Sequence, residues 1–516
     1  MSKRDILRNV GSSWFSLGIN VVLGFFLSPF ILHRLGDAAF GIWVLIFSIT
    51  GYYGIFDLGI RSSVVRYIAK FTAVDDKEGL ARFFNTILAT YTCIGLVTAL
   101  GTLVLSRYVG QMFHIGPDFL HTARLLFLMV GLSVALGFPL GIFAGILEGL
   151  QRFYLLNFTN IAGLLVRAGL TVLALRRGYG LLTVGLITVL FPLLVSALRA
   201  ILVVRILPIP LGWKHLDRHV FREMSNYSGV TFIIQMAYQL RFKTDVLVIA
   251  RFLNASAVTQ FSIGSRLVDY AGQVVSSMAQ IFVPMSSQSD AKGDINHLRK
   301  IFVAGNRACA LIILPVTAIL VILGQSVIEA WVGRRYVADS YPILLVLLIP
   351  TALMLAQSAS PRILFGMARH RTLAWITSME GIANLILSIV LVQRLGVIGD
   401  AIGTAVPLTF TAVYFTPRYL AGLLKVKQTT FLREAYTLPL LLCAPQVAVL
   451  LAMRQWLPVH HLLPLLGEIL VSLAAYGVGL FWAVRTGHVY KVGELTVNPE
   501  LEAENTDMAE TLHEQV

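Results

Sequence analysis

The sequence predicts an all-α integral membrane protein of about 14 transmembrane helices, arranged as two six-helix bundles in parallel repeat with two further helices at the C-terminal end. Three observations predict it. Hydrophobic residues make up 57% of the 516 residues and charged residues only 13%, about half the charged share of a soluble domain. Apolar runs of about 20 residues recur along the chain, each long enough to cross a bilayer. Local motifs also return at nearly one fixed shift, as in duplicated transporter folds.

In chain order, the expected spans are 10–32, 40–60, 84–106, 122–146, 155–175 and 180–204, then 227–252, 258–285, 301–323, 342–365, 372–393 and 396–417, then 435–453 and 464–484. The first is too long for a signal-peptide core and has no small-x-small cleavage pattern, so it reads as a membrane helix. An even count puts both termini on one side. With the N-terminus in the cytoplasm, the cytoplasmic links carry 24 Lys and Arg residues against 9 outside, Arg251 at the outer end of its span included, the bias expected of cytoplasmic loops. One missed helix would scramble that bias.

The formal charge of +14 is therefore topological. Its basic residues form neither a run nor a patch, which excludes nucleic acid as a partner and leaves the lipid bilayer as the surrounding medium. Cys93, Cys309 and Cys443 lie inside apolar runs and are expected as small buried hydrophobes.

The repeat rests on three matches. LGDAAFGIW at 35–43 answers LNASAVTQF at 253–261, GLQR at 149–152 answers GMAR at 366–369, and YGLLTVGLIT from 179 answers LGVIGDAIGT from 395. The shifts are 218, 217 and 216. They divide the chain into an N-terminal bundle at 1–218, a C-terminal bundle at 219–420, two added helices at 421–490 and an acidic cytoplasmic tail at 491–516, expected to be disordered. Six is even, so both bundles enter the membrane alike, and such a pair encloses a cavity that opens alternately to each side.

Charges inside spans cost several kcal/mol unless they face protein or water, so each is a functional candidate. The densest group is Arg241, Lys243, Asp245, Arg266 and Asp269. About the turn near residue 255, Arg241 lies level with Asp269 and Asp245 level with Arg266, so two opposite-charge pairs are expected. At about 1.5 Å per residue Arg241 is roughly 16 Å deep. One reading is that these four charges only fix the hairpin. The other is that Lys243, left over, joins Arg167 and members of the paired set in a cationic, water-filled cavity suited to a diphosphate, which Arg grips in two places and Lys meets as a point charge.

Elsewhere, Asp57 and Arg61 form an expected i,i+4 pair. Arg199, Arg362 and Arg124 are near enough to the surface to snorkel. Arg307 and Glu380 are expected to pair, with Glu380 also a candidate for proton coupling. Ten spans contain proline, so kinks are plentiful. The sequence has no phosphate loop, HExxH or GxSxG, so no catalytic residue, cofactor or metal is expected. Transport would be driven by an H+ or Na+ gradient or by the substrate gradient.

The segments LSPFILHRLGDAAFGIWVLIFSITGYYGIFDLGIRSSVVRYIA at 27–69, KTDVLVIARFL at 243–253 and LGVIGDAIGTAV at 395–406 resemble the polysaccharide flippases, the Wzx-type O-antigen translocases of the multidrug/oligosaccharidyl-lipid/polysaccharide exporter superfamily. The resemblance runs to about residue 485. It implies a flippase, not an enzyme, that moves an undecaprenyl-diphosphate-linked oligosaccharide from the cytoplasmic to the periplasmic leaflet of a bacterial inner membrane by alternating access. It also implies a cationic cavity, fitted here by Arg241, Lys243 and Arg266, and a polysaccharide polymerase and export machinery as partners. Lipid II is disfavoured, because span 1 has no arginine in its core. Two rivals are weighed against this. A drug antiporter on the same fold is expected to place a carboxylate in span 1, and a membrane glycosyltransferase or polymerase needs a large extramembrane loop; the chain has neither.

Overall fold

The computed structural model describes residues 3–489, apart from 58–59, 222–235, 237–238, 241–242, 370 and 457–461. Among the described residues every regular element is helical. In an apolar medium a helix satisfies its own backbone, so apolar runs adopt it. Helix α1 spans Lys3–Leu35, α2 Asp37–Gly51, α3 Ile60–Ala73, α4 Lys77–Met112, α5 Pro117–Gly149, α6 Phe153–Arg176 and α7 Leu181–Ile206. Then come α8 Asp245–Phe252, α9 Ala255–Ala279, α10 Phe282–Ala291, α11 Ile295–Val332, α12 Val337–Ala356, α13 Ala359–Gly366, α14 Arg371–Leu395 and α15 Val397–Phe410. A π-turn at Thr411–Phe415 leads into α16 Thr416–Leu423, and α17 Gln428–Trp456 and α18 Leu462–Arg485 follow.

Among the described residues, eleven helical segments are long and apolar enough to cross a membrane. The other three expected spans differ for local reasons. The one at 40–60 breaks after Gly51 into a 3-10 turn, Tyr52–Asp57. The one at 227–252 falls largely outside the described residues. The one at 258–285 is helical as α9 but carries Arg266 and Asp269, which lower its apolar character. The acidic tail also lies outside the described residues.

Two compact units divide the chain. The first holds residues 1–239 and 246–259, the second 240–245 and 260–516. In each, the same backbone turns recur. Asp76 caps α4 by accepting from the Gly79 amide (2.8 Å), and Asp294 caps α11 by accepting from the His297 amide (2.9 Å). Gln151 and Ala368 both adopt φ of 56°, an uncommon left-handed conformation for residues with a Cβ. Around them the amides of Leu150, Gln151 and Arg152 donate to Ile146, Glu148 and Leu147, as those of Met367, Ala368 and Arg369 do to Ile363, Phe365 and Leu364. Gly149 and Gly366 each let a neighbouring backbone approach, Val65 O in one unit and Val283 O in the other, to within 2.9 and 2.6 Å of where a Cβ would stand.

In the second unit α11 is the hub. Its Phe302 stacks on Phe431 of α17 with centroids 4.1 Å apart, inside a core that includes Ile301, Leu355, Ile363 and Leu420. Of the cysteines, Cys309 and Cys443 are buried as expected, but Cys93 is exposed on α4. Apolar character sends a side chain into protein or lipid alike, and the sequence does not separate the two.

Candidate functional site

The charged group around span 7 stands in the second unit. Asp245 opens α8 and is 6% exposed. The Thr404 hydroxyl of α15 donates to its Oδ1 (3.0 Å), and Asn384 of α14 bonds it too. The expected pair with Arg266 is therefore corrected: Asp245 turns toward α14 and α15, because hydroxyl and amide donors there meet its carboxylate. Arg266, half-buried on α9, lies instead in the field of Asp269 and Tyr270.

Lys243 is not a leftover cation. It is exposed and acts on both Asp269 and Asp245. Asp269 is exposed as well, and both Lys243 and Arg266 act on it. Arg241 lies outside the described residues, so its expected pairing with Asp269 does too. In the first unit, Arg167 is half-buried on α6, where the Thr171 hydroxyl donates to its carbonyl (2.8 Å). Among the described residues no acid partners its guanidinium.

The remaining candidates disperse. Asp57 ends the 3-10 turn and Arg61 is the second residue of α3, but their side chains lie outside the description. Arg307 does not pair with Glu380. Its acid is Glu434 of α17 (3.5 Å), and it also donates to the carbonyls of Glu434 (2.8 Å), His488 and Val489 (both 3.1 Å). It thus ties α17 and the turn that follows α18 to α11. Glu380 is buried on α14 and accepts from the Thr411 hydroxyl in the π-turn. Arg199 does not snorkel. It is buried, and donates to Thr159 Oγ1 (2.9 Å), Asn160 Oδ1 and the Leu156 carbonyl (3.3 Å).

Sequence reasoning missed Asp400. It is 0% exposed on α15, and the Ser388 side chain of α14 stands beside its carboxylate. It and Asp245 act on each other electrostatically. Beside it, the Ser388 hydroxyl lies 2.9 Å from Asn384 Oδ1 and 3.2 Å from the Asp400 carbonyl. The signal was available: Asp400 sits in LGVIGDAIGTAV, where repeat matching took precedence over the rule that an acid within a span is a candidate.

Residues 6–290 match the family described as polysaccharide biosynthesis protein. The chain is similar to the putative O-antigen transporter of Shigella flexneri, 22% identical over 413 residues, covering 79% of this chain and 96% of that protein. It is also similar to the uncharacterized membrane protein EpsK of Bacillus subtilis, 21% identical over 420 residues, 80% of this chain and 83% of that one. In three dimensions it shares the fold of the lipid II flippase MurJ in an inward closed conformation, with a TM-score of 0.70 and 16% identity over 93% of this chain and 99% of that one. The family match covers more than half of the chain: this multi-pass membrane protein belongs to the polysaccharide biosynthesis protein family.

Proposed function

We propose that the protein is a flippase that carries an oligosaccharide linked to undecaprenyl diphosphate from the cytoplasmic to the periplasmic leaflet of a bacterial inner membrane, by alternating access and with both termini in the cytoplasm. The observation that carries this reading is the exposure of Lys243 and Asp269 at membrane depth. Lys243 stands two residues before α8 and nine before that helix's end at Phe252, inside the span expected at 227–252. A charge facing lipid there costs several kcal/mol, whereas one facing water does not, so these side chains line a hydrated path. Along it Lys243 and Arg266 offer ammonium and guanidinium donors to a diphosphate. The family supports polysaccharide precursors as cargo, and a polymerase and export machinery are the partners such a product needs. An H+ or Na+ gradient drives the cycle.

The test is surface polysaccharide in cells that depend on this protein, with its abundance measured in parallel. Lys243→Ala should lower export at least tenfold at near-normal abundance, Arg241→Ala should behave likewise, and Lys243→Arg should restore much of the export. Unchanged polysaccharide in both alanine variants would reject the site.

A further inference from the structure

Helix α9 divides lengthwise into two faces. Leu267, Ala271, Val275 and Ala279 recur at four-residue steps and are buried, the apolar stripe of a helix packed on protein. Three of them, Ala271, Val275 and Ala279, join the core that holds Ile301 and Leu355. On the same side Gly264 lets α12 come so close that a Cβ there would stand 2.9 Å from the Ser340 carbonyl oxygen. At about 100° per residue, the opposite face carries Arg266, Asp269, Gln273, Ser277 and, directly after the helix, Gln280.

All five residues of that face are polar, and all five lie within the span expected at 258–285. Arg266 and Ser277 are half-buried, whereas Asp269, Gln273 and Gln280 are exposed. An amide turned to hydrocarbon would have nothing to bond and is strongly disfavoured there, so the face meets water, as Lys243 does. The repeat does not impose this stripe. The shift of 218 places Ile55 and Gly59 where Gln273 and Ser277 stand.

The chemistry of the face changes along the axis. Arg266 and Asp269, with Lys243 acting on Asp269, make a charged level. Gln273 stands about 10 Å beyond Arg266 and Gln280 about 20 Å beyond it, and neither carries charge. No described residue bonds either side-chain amide. The Ser277 hydroxyl gives its one hydrogen to the Gln273 backbone carbonyl (2.8 Å), which leaves its oxygen as an acceptor. Each glutamine offers two N–H donors and a carbonyl acceptor in one plane. Neighbouring hydroxyls of a sugar ring, each able to donate and to accept, complement that plane, whereas a phosphate oxygen only accepts and gains nothing from the amide carbonyl.

We propose that Gln273, Ser277 and Gln280 form a sugar-binding face, along which the oligosaccharide of the cargo lies while its diphosphate is held at Lys243 and Arg266. This deepens the flippase reading and rests on it. The charged level holds the lipid link, which every such cargo shares, and the neutral level holds the sugar chain. On the topology proposed above α9 runs inward from the outer side, so the chain extends from the diphosphate toward the cytoplasmic end of the span. Affinity for a cargo then grows with its sugar, through residues that do not touch its phosphates.

The experiment measures binding of two lipids to the purified full-length protein in nanodiscs: undecaprenyl diphosphate alone, and the same lipid carrying the complete oligosaccharide, extracted from cells that make it. Wild type should bind the sugar-bearing lipid more tightly. Gln273→Leu and Gln280→Leu should each cut that advantage about fivefold, the loss expected of one neutral hydrogen-bonding group. The double variant should bind the two lipids about equally, with its affinity for undecaprenyl diphosphate unchanged. Should a leucine variant fail to fold, Gln273→Ala and Gln280→Ala carry the same expectation. Equal affinity for both lipids in wild type, or an advantage that survives the double variant, would overturn the proposal. Lys243→Ala separates the two readings. If it weakens both lipids while the sugar advantage survives loss of both glutamines, the diphosphate position stands and the sugar face fails. If it weakens neither while the advantage depends on the glutamines, the diphosphate position fails and the sugar face stands.

Discussion

The two units share their turns and differ in the charge they bury. Where the second unit has Asp400, the first has Val184, and both are 0% exposed. Where the second has Asn384, the shift of 217 places Arg167. Thr404 and Thr188 also correspond, but the Thr188 hydroxyl donates to the Val184 carbonyl of its own helix (2.7 Å), whereas that of Thr404 donates to Asp245. Among the described buried residues, the first unit contains one charged side chain, Arg199, and the second contains four acids, Asp245, Glu380, Asp400 and Glu468, beside Arg307. Backbone turns are thus kept by the repeat while polar chemistry diverges on top of them.

The comparison is sharpest where the helices touch. Gly403→Leu drives a side chain into Ser388 and should cost about 3 kcal/mol, the upper end of overpacking penalties. The corresponding change in the first unit, Ile187→Leu, keeps side-chain volume and should cost about 1 kcal/mol or less. Detergent-solubilised thermal stability separates the two, and equal losses would mean that α14 and α15 are not the tighter pair.

Buried cations come next. Arg307→Ala leaves Glu434 and three carbonyls without their donor and should cost about 3 kcal/mol, with faster proteolysis in the link before α17. Arg199→Met removes a cation whose described acceptors, Thr159, Asn160 and Leu156, are neutral, so about 2 kcal/mol should be lost. A larger loss for Arg199 than for Arg307 would reverse the assignment of the second unit as the one held by charge. The smallest effect tests the shared turns. Gln151→Gly and Ala368→Gly each relieve a left-handed residue and should each stabilise by about 1 kcal/mol, equally in both units. A gain in only one would break the equivalence.

The fold was legible because lipid solvation writes itself into sequence. An apolar run must be helical, and a recurring turn keeps its hydrogen-bonding residues, as Asp76 and Asp294 do. The site was legible only as a set of candidates. Counting charges along the hairpin found Lys243, Asp245, Arg266 and Asp269, but equal depth on neighbouring helices does not say which face each side chain presents. So the pairing of Asp245 with Arg266, and that of Arg307 with Glu380, gave way to Thr404 and Glu434.

By itself, then, the sequence determined the membrane class and the family, both of which depend on composition and spacing along the chain. Only the tertiary structure decided that Asp400 meets Asp245 and that Arg307 holds the added helices. Such contacts depend on helix rotation and on how closely two backbones approach, and at 399 and 403 a glycine allowed what any side chain would have prevented.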